Sequence, residues 1–195
     1  MKKTGLFIVM TIVTLAAANG QLARIGGGMT CGTGFHFNNE GSGELAGLNR
    51  SPFIGISVTG TYKLDLPVTI ATSFGYFMPR SNEIVQAVGG KASSRVSSMM
   101  FDINGHWVFY SPGRVEFYAL GGLNITFARL KLSGLSSGEN DNAIGLNLGA
   151  GIYLKVAEQF GLFAEAKYIA SKYAQAMINA GVLFNLKWSE RKGNP

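Results

Sequence analysis

Residues 144–156 read IGLNLGAGIYLKV, and the reading of this stretch decides the fold. Every second residue from Ile144 gives Leu146, Leu148, Ala150, Ile152 and Leu154, an oily row. Between them stand Gly145, Asn147, Gly149, Gly151, Tyr153 and Lys155. A period of two held for about a dozen residues predicts a β-strand longer than usual, because successive strand side chains point to opposite faces. One face suits hydrocarbon. The other is small and polar but barely charged, which is not how a sheet dresses for water.

Composition points the same way. The chain has 195 residues, enough for one domain with a full core. Charged residues make up 14%, against about 25% in a typical soluble domain. Glycine (27) and phenylalanine (13) are plentiful, and the missing charge is replaced by Gly, Ser, Thr and Asn. Part of the surface is therefore expected to avoid water.

The N-terminus carries an address. Lys2 and Lys3 precede an apolar run from Leu6 to Ala18, and then Asn19, Gly20 and Gln21 follow. A basic start, a short oily run and small residues before a polar one describe a secretory signal peptide, expected over residues 1–20 with cleavage after Gly20. Removing Lys2 and Lys3 from the 17 basic residues leaves 15 against 11 acidic, a mature charge of +4. That balance is too mild and too scattered for a nucleic-acid partner. Cys31 is the single cysteine, so no internal disulfide staples the fold. No second apolar run is long enough for a transmembrane helix.

The opening pattern recurs eight times. The predicted strands are Ile25–Phe37, Phe53–Leu64, Val68–Phe77, Val96–Tyr110, Val115–Leu132, Ala143–Val156, Phe160–Ile169 and Ala176–Trp188. The breaks between them alternate in length. Asp65–Pro67, Ser111–Arg114 and Ala157–Gln159 are tight turns, whereas Asn38–Pro52, Met78–Arg95 and Ser133–Asn142 are long and hydrophilic. Long on one side and short on the other is the layout of an outer-membrane barrel, with loops outside and turns in the periplasm. A closed barrel leaves no backbone group unpaired in hydrocarbon, so the oily face is expected to meet lipid and the polar face to line a narrow interior. Aromatic residues on the oily face fall into two groups, one near the turns (Tyr62, Trp107, Phe109, Phe117, Phe160, Trp188) and one near the loops (Phe74, Tyr76, Phe101, Phe127, Tyr168). A soluble lipocalin-like barrel would share the alternation, but its polar face would lie outside and be rich in Lys and Glu.

With its signal peptide, its eight segments and the closing run AGVLFNLKW (residues 180–188), the chain resembles the small outer-membrane β-barrel domain family of the OmpA/OmpX type. The resemblance implies an all-β, eight-stranded, antiparallel up-and-down transmembrane barrel over residues 21–195, in the bacterial outer membrane, with a short periplasmic C-terminal tail. It also implies that Trp188 acts as the terminal-strand aromatic read by the outer-membrane assembly machinery, although SERKGNP follows it here.

Three function classes remain open. The one favoured is a barrel with a plugged lumen and a structural or surface-interaction role through its long loops, with an extracellular or envelope protein as partner. A narrow pore, or a transport- or secretion-associated barrel, is the alternative. A lipid-modifying enzyme would need His106 with Asp102 and Asn104, inward on one strand, and these read better as lumen hydrogen-bonding groups. No catalytic residue, cofactor or metal site is expected. Lys63, Asp102, Glu116, Glu165 and Lys167 project inward, where isolated charge is costly, so they should pair across strands. Arg80, Arg129 and Lys131 lie where lipopolysaccharide phosphates would sit, with Lys91 and Arg95 in the same loop as Arg80, and guanidinium geometry suits phosphate.

Overall fold

The computed structural model describes residues 21–35, 53–64, 68–85, 91–132 and 138–186. The expected signal peptide and Trp188 lie outside the described residues. Eight strands follow in chain order: β1 (Gln21–Gly32), β2 (Ile54–Lys63), β3 (Val68–Val85), β4 (Lys91–Tyr110), β5 (Val115–Leu132), β6 (Gly138–Lys155), β7 (Phe160–Ala170) and β8 (Gln175–Asn185). Each pairs antiparallel with its neighbour, and β8 closes on β1. The sheet therefore has no edge.

Burial fixes which face is inside. Ile144 and Leu148 are 72% and 66% exposed, while Asn147 between them is 1% exposed. Oily residues thus face outward along β6, and the lipocalin-like arrangement is the wrong way round. From Ile144 to Leu154 there are ten strand steps of about 3.4 Å, which at a tilt of about 40° climb roughly 26 Å, the height of a membrane's apolar band. Aromatic pairs ring its lower rim, with Trp107 against Phe109, Tyr110 against Phe117 and Phe160 against Phe184.

The tight turns sit at the end where β1 starts and β8 finishes. In the β4–β5 turn Val115 N donates to Pro112 O (3.2 Å), and Gly113 takes φ +64°, a conformation that L side chains rarely adopt. The opposite end differs from expectation. β3 and β4 run on as a paired ladder to Val85 and Lys91, and β6 begins at Gly138. Most of Met78–Arg95, read as loop, is strand. Above the apolar band the outward positions turn polar (Ser81, Arg95), so no oily face marks residues 80–85 and 91–95 although their backbone bonds continue. β1 starts four residues early, at Gln21, and β8 stops at Asn185.

Three bulges break the registers, at Ala23, at Met78–Pro79 and at Phe109. Pro79 has no N–H to offer the ladder, which makes the second one intelligible. Following register partners once round the wall, from Gly32 through Met177, Lys167, Gly149, Leu120, His106, Thr69 and Lys63, ends at Gln21. That is eleven residues from the start, one of them the Ala23 bulge. This stagger brings residues distant in sequence to one level of the lumen.

Candidate functional site

The lumen is the candidate site, and side chains fill it in three layers. The extracellular layer is apolar. Phe35, Phe77, Val96, Met100, Leu130, Ile169, Tyr173 and Met177 are buried together there, with Phe35 stacked on Tyr173 at 4.3 Å.

The middle layer converges on one carboxylate. Lys167 Nζ lies 2.5 Å from Asp102 Oδ2, and Asn124 Nδ2 and Asn147 Nδ2 each donate to Asp102 Oδ1 at 2.8 Å. Ser73 Oγ adds a fourth donor at 3.1 Å. The donors come from β3, β5, β6 and β7, so a single acid ties five strands together. Asn147 also donates to Asn104 (2.8 Å), and Thr126 to Asn124 (2.7 Å). A carboxylate with this many donors keeps its charge without water.

The periplasmic layer is aromatic and ionic. Arg24 on β1 crosses the lumen to Glu116 on β5 in a two-pronged pair of 2.8 and 2.9 Å. Its guanidinium lies 3.8 Å from the centre of the Tyr153 ring. Tyr153 donates to Asn185 Oδ1 (2.9 Å), and Tyr118 donates to Glu165 Oε1 (2.9 Å). His106 stacks on Tyr118 at 4.5 Å, with Nε2 3.6 Å from Glu165, too far for a hydrogen bond. A small cavity of about 20 Å³ lies among Arg24, Thr61, Thr69, His106 and Glu165, room for about one water.

Of the residues expected to form a charge network, Asp102 joins Lys167 and Glu165 is held by Tyr118 instead. Glu116 pairs with Arg24, a partner the sequence reading missed because it began the first strand at Ile25. Arg24 shares the parity of Gly26, Gly28 and Thr30, and that signal was available. Lys63 is exposed at the foot of β2 and makes no ion pair among the described residues. Gly149 and Gly181 lie close to the backbone of neighbouring strands. The glycines beneath rings are Gly151, under Tyr118, and Gly161, under Tyr153.

His106, Asp102 and Asn104 are all buried, and Asp102 is fully engaged by its donors. Among the described residues no group of His, Cys, Asp or Glu has metal-binding geometry.

The charges at the extracellular rim divide. Arg129 and Lys131 are exposed on the outward face of β5. Arg80, past the Pro79 bulge, pairs in register with buried Val96 and lies over the Phe53 ring at 5.5 Å. The outward position beside Lys131 belongs to Arg95. Asp141, above the apolar band, is bonded by Lys172 Nζ (2.6 Å) and the Tyr173 hydroxyl. Partial burial pushes its carboxyl up, but these hydrogen bonds outweigh that and hold it below the usual carboxylate range.

A family model described as outer membrane protein beta-barrel domain matches residues 5–186. No curated protein sequence matches the chain. Among solved structures, Neisserial surface protein A is similar at TM-score 0.57 and 15% identity, over 86% of this chain and 99% of that one. The N-terminal β-barrel domain of Pseudomonas aeruginosa OprF is similar at TM-score 0.56 and 17% identity, again over 86% and 99%. Ail, the attachment invasion locus protein of Yersinia pestis, in complex with the heparin analogue sucrose octasulfate, gives TM-score 0.55 and 15% identity over 86% and 99%.

Proposed function

This chain belongs to the outer membrane protein beta-barrel domain family, and from that premise we propose that it is a plugged outer-membrane barrel acting at the cell surface. Its role is structural or adhesive, exercised through the extracellular ends of β3–β6 and their connections, toward an extracellular or envelope partner. It reaches its place by export behind a cleaved signal peptide and insertion by the assembly machinery, with Trp188 as the terminal aromatic. The observation that carries the reading is the layered lumen. An eight-stranded barrel is just wide enough for side chains to fill, and here an apolar layer, the Asp102–Lys167 layer and the Arg24–Glu116 layer lie in series.

The same filling argues against a pore and against chemistry at His106. The structure of Ail with a sulfated heparin analogue suggests anionic surface molecules as a first class to try. The test is electrical. In a planar bilayer the folded protein should pass no steady current. Steady conductance of porin size would overturn the plugged-lumen reading and promote transport in its place.

A further inference from the structure

We propose that the outward face of β4 and β5 holds a phosphorylated glycolipid of the outer leaflet, lipopolysaccharide, through Arg95, Arg129 and Lys131. The inference rests on the surface orientation proposed above and adds the ligand and its residues. Arg95 and Lys131 are direct register partners, and Arg129 follows Lys131 on the same face, opposite Ser97. All three are exposed, while the alternate residues Val96, Leu130 and Ala128 are buried in the lumen. The cations therefore point away from the barrel axis.

Like charges set directly opposite on paired strands repel, and ordinary surfaces interleave acids to relieve this. Among the described residues no ion pair engages any of the three, and the polar neighbour of Arg129 on β6 is neutral Asn140. By register the one acid beside them on this face is Glu83, diagonal to Arg95 on β3, and a single acid does not balance three cations, so an anion from outside would offset the surplus. Height identifies it. Phe127, two residues below Arg129, and its partner Met99 are exposed on the lipid face, with Tyr76 beside Met99 on β3. Along the strand Arg129 stands about 7 Å above this ledge, and Arg95 and Lys131 about 14 Å, heights that strand tilt reduces to those of a headgroup rather than of open solution. A phosphate at the cations and acyl chains on the Tyr76–Met99–Phe127 ledge would use both halves of the surface. Guanidinium groups bind phosphate in two-pronged fashion.

The test compares the full chain with R95Q/R129Q/K131Q, each shown to be folded by faster gel migration before boiling. Both are reconstituted in phosphatidylcholine vesicles containing bis-phosphorylated lipid A, extracted in mild detergent, and assayed for retained lipid A. The unmodified chain should retain on the order of tenfold more than the triple variant, and lose it in high salt. R114Q/K155Q, which removes two exposed cations at the periplasmic end, should retain it like the unmodified chain. Equal retention by the triple variant would overturn the proposal, as would equal retention of dephosphorylated lipid A. Displacement of lipid A by a soluble sulfated polysaccharide would also overturn it, in favour of a soluble polyanion. If the triple variant does not fold, R95Q alone should show a smaller loss in the same assay, and no loss would be fatal. A folded chain that binds no lipid A removes only this inference, whereas a chain that never enters the membrane removes the reading beneath it.

Discussion

Among the described residues two hydrogen-bonded ion pairs cross the lumen, and they are built for different surroundings. Lys167 and Asp102 have side chains only 1% and 7% exposed, and three more donors surround the acid. Arg24 and Glu116, near the periplasmic mouth, are 25% and 29% exposed, and a tyrosine ring covers the guanidinium. In the sealed layer a charge has no alternative to its partner. At the mouth water can replace a lost partner at small cost. Similar distances therefore conceal different energetic weights.

The difference can be broken at the buried pair first. Lys167→Ala leaves a buried, uncompensated carboxylate and should destabilise the barrel by about 3–5 kcal/mol, read as a lower urea midpoint in vesicles. The double change Asp102→Asn with Lys167→Met should recover most of that loss, because it removes the charge together with its partner. If Lys167→Ala alone were harmless, the middle layer would be hydrated and the comparison would collapse. Arg24→Ala comes next, at about 1–2 kcal/mol, since it removes both an ion pair and a ring contact. Glu116→Gln keeps the ring contact and a hydrogen bond, and should cost less than about 1 kcal/mol in the same titration. The smallest effect belongs to Asp141 at the rim. Its folded pKa lies below the ordinary value, so its contribution is present above that value and is lost as pH falls through the folded one. A slight drop in stability below about pH 4 should vanish in Asp141→Asn.

Much of this molecule was legible in its sequence. Alternation at Ile144–Leu154 separated the two faces, the scarcity of charge on the polar one told lipid from lumen, and short turns alternating with long connections gave the closed, antiparallel order. What escaped was whatever depends on stagger rather than on period. That Arg24 reaches Glu116, or that Asp102 takes Lys167 and leaves Glu165 to Tyr118, depends on which residues share a level, and no local pattern encodes that. The ladders above the membrane escaped for a different reason. Residues 80–85 and 91–95 pair through their backbones where no oily face is required, so period two disappears while the strand persists. Charge alone groups Arg80 with Arg129 and Lys131, and the bulge beside it puts it on the other face.

That bulge works like a frameshift. Below Pro79 the odd-numbered residues of β3 from Thr69 to Phe77 look into the lumen, and above it the even-numbered Arg80 takes the inner position opposite Val96. A one-residue insertion below the bulge would swing Phe74 and Tyr76 from lipid to lumen, because strand faces invert with every single-residue slip. The same insertion above it would rephase only the extracellular end of the hairpin. The span is thus insulated from drift at the cell surface, and single-residue insertions and deletions in this chain should be tolerated on the outer side of Pro79 and rejected on the inner side.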